Sequence, residues 1–126
     1  MVVRIWRTGL NTQLHVLIGL TSETDLFQNQ HLFEVATIHT TDGILRKFED
    51  KEPDIVFVDS NLKGAISVFD LITEIRKISS DTPIIVTADY AVRPLHKRIR
   101  QLGAQYLLTN PLSLRKVNVM IKKYLK

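Results

Sequence analysis

The chain has 126 residues, a net charge of +4, 44% apolar and 24% charged residues, and no cysteine. This length corresponds to a single domain that can fold around one hydrophobic core without a disulfide or a structural metal. Without cysteine, a disulfide framework and a thiolate metal site are excluded. The N-terminal segment is too short and too charged for a signal peptide or a membrane span, so a cytoplasmic protein is expected.

Short apolar runs bounded by Gly, Pro or polar residues predict the buried strands of a parallel sheet. In chain order they cover residues 14–20, 34–38, 55–59, 84–87 and 106–109. Segments with apolar residues at helical spacing alternate with these runs. They predict helices over residues 43–50, 68–78, 93–102 and 114–124, and a short first helix that begins near Ser22 or Thr24. The alternation predicts an α/β fold, a doubly wound (βα)5 parallel sheet with helices on both faces.

Asp59 ends the apolar run at residues 55–58. The carboxyl ends of strands in an open α/β sheet are the places where ligands and reactive groups collect. An aspartate after a strand can also simply cap the following turn. The position therefore marks a candidate functional site, with a turn-capping role as the alternative.

From residue 14 to the C-terminus, the order and spacing of several short motifs resemble the receiver domain of bacterial response regulators. The motifs are Pro53-Asp54, Asp59, Lys63-Gly64, Thr82-Pro83, Leu102-Gly103-Ala104 and Asn110-Pro111. The resemblance implies a flavodoxin-like, CheY-like fold with strand order 2-1-3-4-5 and a role in two-component signalling. Residues 1–13 lie outside it and are interpreted as an N-terminal extension, either an edge strand or a disordered arm. The receiver-like domain is then residues 14–126.

The resemblance also implies where a metal ion would bind. Receivers carry two acidic residues directly after the first strand, and these hold the Mg²⁺ that phosphoryl transfer requires. The matching residues here are Thr21 and Ser22, whose neutral hydroxyls are poor ligands for a hard cation. We therefore expect no cofactor, unless Glu23 or Asp25 reaches the site from the loop and holds Mg²⁺.

The positions that bind the phosphoryl group in receivers differ here as well. Receivers place a Ser or Thr at the end of the fourth strand, and spacing from Pro83 assigns that position to Ala88. Thr87 comes one residue early, so its side chain is expected to point to the opposite face of the sheet. The lysine that precedes a proline after the fifth strand of receivers corresponds to Asn110, which cannot neutralise phosphate charge. Asp59 is then a vestigial phospho-acceptor position in a degenerate pocket.

These differences predict a pseudo-receiver, a receiver-like domain that is not an enzyme. It would be a protein-interaction module that works without phosphorylation in bacterial signal transduction or transcription regulation. The alternatives are a divergent response regulator that still accepts a phosphoryl group on Asp59, and a regulator that binds nucleic acid through its basic C-terminal residues.

Every acidic residue of the chain lies at or before Asp89, so the segment from Tyr90 onward carries only basic charges. Most of them lie on the last two predicted helices and form what we call the basic face: Arg93, Lys97, Arg98, Arg100, Arg115, Lys116, Lys122 and Lys123. The asymmetry predicts an acidic protein partner rather than a homodimer, because a face without acids repels a second copy of itself. Nucleic acid is the alternative partner, and solvated sides of two amphipathic helices are the simplest explanation. Neither a membrane nor a small-molecule substrate is expected.

Overall fold

The computed structural model describes residues 13–125, which form a five-stranded sheet and helices on both of its faces. The strands are β1 (Leu14–Gly19), β2 (Phe33–Ile38), β3 (Ile55–Asp59), β4 (Ile84–Ala88) and β5 (Tyr106–Thr109). The helices are α1 (Thr41–Asp50), α2 (Val68–Ile78), α3 (Arg93–Leu102) and α4 (Leu114–Tyr124). The strand order is β2-β1-β3-β4-β5, and every pair is parallel. The predicted α/β fold and its strand order are therefore confirmed.

Caps and breaks in the sequence explain where the helices begin and end. Thr40, Ser67 and Ser113 precede α1, α2 and α4, and each side chain accepts a hydrogen bond from the backbone amide three residues later. Helix α3 instead carries Pro94 in its first turn, where a missing amide hydrogen has no cost. Gly103 ends α3 with φ at 112°, a conformation that favours glycine.

The short helix predicted after β1 is not formed, and a turn over residues 26–29 takes its place. Thr24 and Gln30 each accept a hydrogen bond from the backbone amide two residues ahead. Polar side chains that bond to the nearby backbone in this way compete with helix formation. Asn29 is left-handed, with φ at 64°, which a right-handed helix does not allow. The prediction of a short first helix is therefore wrong. The segment between β1 and β2 still connects two parallel strands.

Two apolar layers bury the centre of the sheet. One lies beneath α1, α2 and α3 and includes Leu17 and Val56, and the other lies beneath α4 and includes Ile18 and Phe57. Every residue of β3 and β4 is buried, as is typical of central strands in a parallel sheet. This packing on both faces fixes the position of the residue that ends β3, which is Asp59.

The predicted N-terminal extension covers residues 1–13, and all of it except Gln13 lies outside the described part of the chain. Between residues 13 and 125, no helix is long and apolar enough to cross a membrane.

Candidate functional site

Asp59 lies at the carboxyl end of β3, in the middle of the sheet, and is only 6% exposed. The neighbouring strand β4 places Thr87 directly beside it in the parallel register. Asn110 follows the last residue of β5. The sheet thus brings three polar side chains together at the edge where parallel α/β proteins build their sites.

Hydrogen bonds from neutral groups hold the Asp59 carboxylate. Its Oδ1 accepts a hydrogen bond from the backbone amide of Asn61 at 2.8 Å. Its Oδ2 accepts from the hydroxyl of Thr87 at 3.3 Å and from the side-chain amide of Asn110 at 3.0 Å. Each hydrogen bond to a charged acceptor contributes about 1.5–3 kcal/mol. The buried carboxylate is therefore stabilised by the dipoles of these groups, and between residues 13 and 125 no cationic side chain forms an ion pair with it.

The side chain of Thr87 faces Asp59, so the expectation that it points to the opposite face is wrong. Thr87 is the register partner of Asp59, and paired residues on neighbouring strands share a face. Ala88, assigned to this position from its spacing to Pro83, packs into the apolar layer beneath α1, α2 and α3. Ala88 lies five residues after Pro83, whereas Thr87, which occupies the site, lies four residues after it. Aligning the ends of the third and fourth strands would have located Thr87.

Asn110 joins Asp59 to a second carboxylate, that of Asp89. Its side-chain amide donates to Asp59 Oδ2 at 3.0 Å and to Asp89 Oδ1 at 2.9 Å. Its backbone amide donates to the carbonyl of Ala88 at 2.8 Å. A neutral amide thus lies between two carboxylates. Asp89 was not among the predicted site residues, because only its place directly after the fourth strand distinguishes it.

Lys116 holds the loop that carries Asn110. Its ammonium group donates to the carbonyl oxygen of Thr109 at 2.6 Å and to that of Pro111 at 2.8 Å. These carbonyls flank Asn110 on both sides, so the contact restrains the residue between them. Although Lys116 belongs to the predicted basic face, it is engaged within the molecule.

A cavity of about 330 Å³ opens at Asp59, and we call it the Asp59 cavity. Its lining includes Thr21, Ser22, Glu23, Asp59, Asn61, Asp89 and Asn110. The structure therefore brings together the residues that were assigned to a degenerate pocket, with the exception of Ala88.

At the two positions that usually supply the acidic Mg²⁺ ligands of receiver domains, the Asp59 cavity does not fit the ion, although Glu23 and Asp89 also line it. Thr21 and Ser22 offer neutral hydroxyls where Mg²⁺ prefers carboxylate oxygen. Both oxygens of Asp59 already accept hydrogen bonds. Within residues 13–125, no group of three or more His, Asp or Glu side chains is arranged to hold a metal ion.

The basic face divides into cations with contacts inside the molecule and cations without them. Arg98 lies over the ring of Phe69 and Lys123 over the ring of Tyr106, each at 4.8 Å from the centroid. Arg100 donates to a backbone carbonyl of the loop between α3 and β5 at 3.2 Å. The remaining cations of the basic face form no hydrogen bond, ion pair or ring contact with the described residues through their side chains. They are Arg93, Lys97, Arg115 and Lys122.

Comparison with known families gives a match over most of the chain. The model of the family described as "Response regulator receiver domain" matches residues 19–122. No curated protein matches the sequence.

Solved structures share the fold at low sequence identity. The chemotaxis protein CheY4 of Vibrio cholerae is 19% identical, with a TM-score of 0.79 over 90% of this chain and 99% of that chain. A CheY-like response regulator receiver domain protein from Methanospirillum hungatei is 19% identical, with a TM-score of 0.74 over 88% and 92%. NtrX from Brucella abortus is 19% identical, with a TM-score of 0.76 over 90% of this chain. The match covers only 27% of the NtrX chain.

Proposed function

This chain belongs to the response regulator receiver family, and we propose that within the family it is a pseudo-receiver. It is a protein-interaction module of bacterial signal transduction or transcription regulation that works without phosphorylation. It is not an enzyme and takes no cofactor. Residues 14–126 form the receiver domain, residues 1–13 form an extension, and the protein acts in the cytoplasm.

The environment of Asp59 carries this proposal. Hydrogen bonds from Asn61, Thr87 and Asn110 occupy both oxygens of the carboxylate. Phosphoryl transfer to a carboxylate needs a cation that offsets the negative charge of the transferring group, and these three donors are all neutral. Asn110 donates a hydrogen bond without bringing positive charge, and Asp89, held by the same amide, adds a second negative charge. Both features oppose the arrival of a group that itself carries a charge of about −2.

Phosphoryl transfer from acetyl phosphate tests the proposal. The protein is incubated with acetyl phosphate and Mg²⁺, and the mass of the intact chain is followed over time. We expect no increase by the mass of one phosphoryl group. The combined variant Thr21→Asp, Ser22→Asp and Asn110→Lys restores the charges of a receiver pocket and is expected to gain that increment. An increment on the wild-type chain that disappears on Asp59→Asn would refute the proposal.

A divergent phospho-switch is the second candidate function, because one contact expected of a switch is present. The hydroxyl of Thr87 lies 3.3 Å from Asp59, within reach of a phosphoryl group on that aspartate, and Glu23 lines the same cavity. For a phospho-switch, Asp59→Asn abolishes the effect of a phosphodonor on partner binding. For a pseudo-receiver, the wild type and Asp59→Asn bind the partner with the same affinity, and the phosphodonor changes neither affinity.

The partner of the proposed module is a protein with an acidic surface. Receiver domains interact with other proteins, such as kinases and effector domains, and the charge distribution of this chain supports an acidic one. No acid follows Asp89 in the sequence, and Arg93 and Lys97 form no ion pair with the described residues. Binding is expected to weaken with added salt, because a higher ionic strength shortens the Debye length and screens the attraction between exposed charges of opposite sign.

A further inference from the structure

A cavity that is separate from the Asp59 site lies between α1 and the amino halves of β1 and β2. Its volume is about 360 Å³, and we call it the β1–β2 cavity. Val16 borders it and pairs in register with Ile55, the first residue of β3. Asp59 ends the same strand, so the two sites are about 13 Å apart along the sheet. The apolar lining of the β1–β2 cavity includes Leu17, Ala36 and Pro53, and the polar lining includes His15, Glu34, Lys47 and Lys51.

The β1–β2 cavity exists because the apolar side of α1 ends early. Ile44 and Phe48 are buried and lie four residues apart on that side. The same spacing would place the next inward residue at position 51 or 52, where the chain has Lys51 and Glu52. Ala36, which lies opposite on β2, adds only a methyl group. No large apolar side chain of α1 therefore covers the amino halves of the two strands.

One end of the β1–β2 cavity is formed by the side chains of His15 and Glu34. They are register partners on neighbouring strands, and the imidazole Nδ1 lies 2.7 Å from the Glu34 Oε2. The backbone amide of His15 donates to the carboxylate of Asp54 at 2.8 Å, and its carbonyl accepts from the Asp54 amide at 2.9 Å. This end is therefore held by three strand segments, and the Glu34 carboxylate is engaged by His15.

The opposite side of the β1–β2 cavity carries the side chains of Lys47 and Lys51. They are four residues apart near the end of α1, which places them on one helix face. Both are exposed, and toward residues 13–125 neither ammonium group forms a hydrogen bond or an ion pair. Like charges at this spacing repel each other, so an anion that contacts both would relieve the repulsion.

Size and lining together define the class of ligand that the β1–β2 cavity fits. Its volume of about 360 Å³ lies within the range of small-molecule sites, which combine apolar walls with a few polar groups that fix orientation. The apolar floor of Leu17, Ala36 and Pro53 favours a ligand with an apolar body. The two lysines favour a negative charge at one end of that body. An inorganic anion would meet the charges but leave the floor in contact with water.

We propose that the β1–β2 cavity binds a small organic carboxylate. The apolar body of this ligand packs on Leu17, Ala36 and Pro53, and its carboxylate contacts the ammonium groups of Lys47 and Lys51. The molecule is a ligand and not a substrate. This assignment goes beyond the proposed function and does not depend on the state of Asp59.

An amide NMR titration with three probes that share one aromatic ring tests the ligand class. The probes are phenylacetate, 2-phenylethanol and phenethylamine, which are negative, neutral and positive at neutral pH. We expect phenylacetate to cause saturable shifts at the amides of Leu17 and Ala36, with a Kd below about 10 mM. The alcohol is expected to bind at least about fivefold more weakly, and the amine to cause no saturable shifts there.

Three variants test the position of the ligand. Lys47→Gln with Lys51→Gln should weaken binding of phenylacetate by about fivefold or more and leave binding of the alcohol unchanged. Lys97→Gln with Lys122→Gln makes the same change in net charge elsewhere on the surface and should weaken it by less than about twofold. Ala36→Leu places a larger side chain on the floor and should abolish binding of both probes.

The assignment is overturned by the absence of saturable shifts with phenylacetate, by equal binding of the three probes, or by equal losses in the two lysine pairs. Inorganic phosphate that binds as tightly as phenylacetate also overturns it, because the site would then need no apolar body. The variant Asp59→Asn is expected to bind phenylacetate with unchanged affinity. A loss of binding in that variant would place the ligand in the Asp59 cavity and refute the assignment.

Discussion

Replacing Asp59 by Asn removes the acceptor charge on which the hydrogen bonds of the site depend. In the wild type, Oδ1 accepts from the amide of Asn61, and Oδ2 accepts from Thr87 and Asn110. Asn offers a single oxygen, and its amide group is a donor. Whichever way the new side chain is turned, its amide faces a donor of Asn61 or of Asn110. At least one hydrogen bond is therefore lost, and those that remain become neutral.

The lost hydrogen bonding outweighs the gain from removing a buried charge. Hydrogen bonds to a charged acceptor contribute about 1.5–3 kcal/mol and neutral ones about 0.5–1.5 kcal/mol. One lost and two weakened bonds therefore cost about 4 kcal/mol. Removing the charge from a carboxyl group that is buried near Asp89 returns about 2–3 kcal/mol. We expect Asp59→Asn to lower the free energy of unfolding by about 1–2 kcal/mol.

Urea unfolding at neutral pH, followed by far-UV circular dichroism, measures this difference. The comparison requires that both proteins have the same slope of unfolding free energy against urea concentration. Asp25→Asn makes the same chemical change on an exposed residue and should alter stability by less than about 0.5 kcal/mol. A variant Asp59→Asn that is as stable as the wild type, or more stable, would contradict the reasoning. That result is expected for a carboxylate destabilised by neighbouring negative charges, as in an acidic phospho-acceptor pocket.

Two further predictions concern a buried hydroxyl and a surface carboxylate. Thr87→Val removes a donor to Asp59 and should lower the free energy of unfolding by about 1–2 kcal/mol, with a smaller loss in an Asp59→Asn background. Equal losses in both backgrounds would exclude the hydrogen bond as the cause. The hydrogen bond from the Ala65 amide lowers the pKa of Asp42 below its ordinary value. The ionised Asp42 side chain therefore stabilises the fold above its unfolded-state pKa, and this contribution is lost as the pH falls through its folded-state pKa. The stability difference between wild type and Asp42→Asn, measured by urea unfolding, should therefore shrink between about pH 7 and about pH 3, and a constant difference would refute this.

Most of the fold could be predicted from the sequence because the relevant signals are local. The apolar run at residues 55–58 is long enough only for a strand, and Ser67 and Ser113 are caps of the expected type. The segment after β1 could not be predicted in the same way. Thr24 is compatible with a helix start or with a turn, and Gln30 with a helix or with a turn. Only their backbone partners in the folded chain decide between the two.

The candidate site was predicted less completely because it depends on neighbours in space. Asp59 and Asn110 could be located from motifs, but the orientation of Thr87 depends on strand register. Asp89 becomes part of the site only through the amide of Asn110. Likewise, a basic residue in the sequence does not reveal whether it faces solvent, and Lys116 turns back to the loop beside the site.

An amide NMR titration with Mg²⁺ and beryllofluoride, a mimic of the phosphoryl group, tests the central claim most directly. The claim is that the Asp59 cavity does not operate as a phosphorylation switch. We predict no saturable shifts at the amides of Asn61 and Thr87 and none along α4. The variant with Thr21→Asp, Ser22→Asp and Asn110→Lys serves as the matched control and is expected to respond. Saturable shifts around Asp59 in the wild type that extend to α4 would contradict the account.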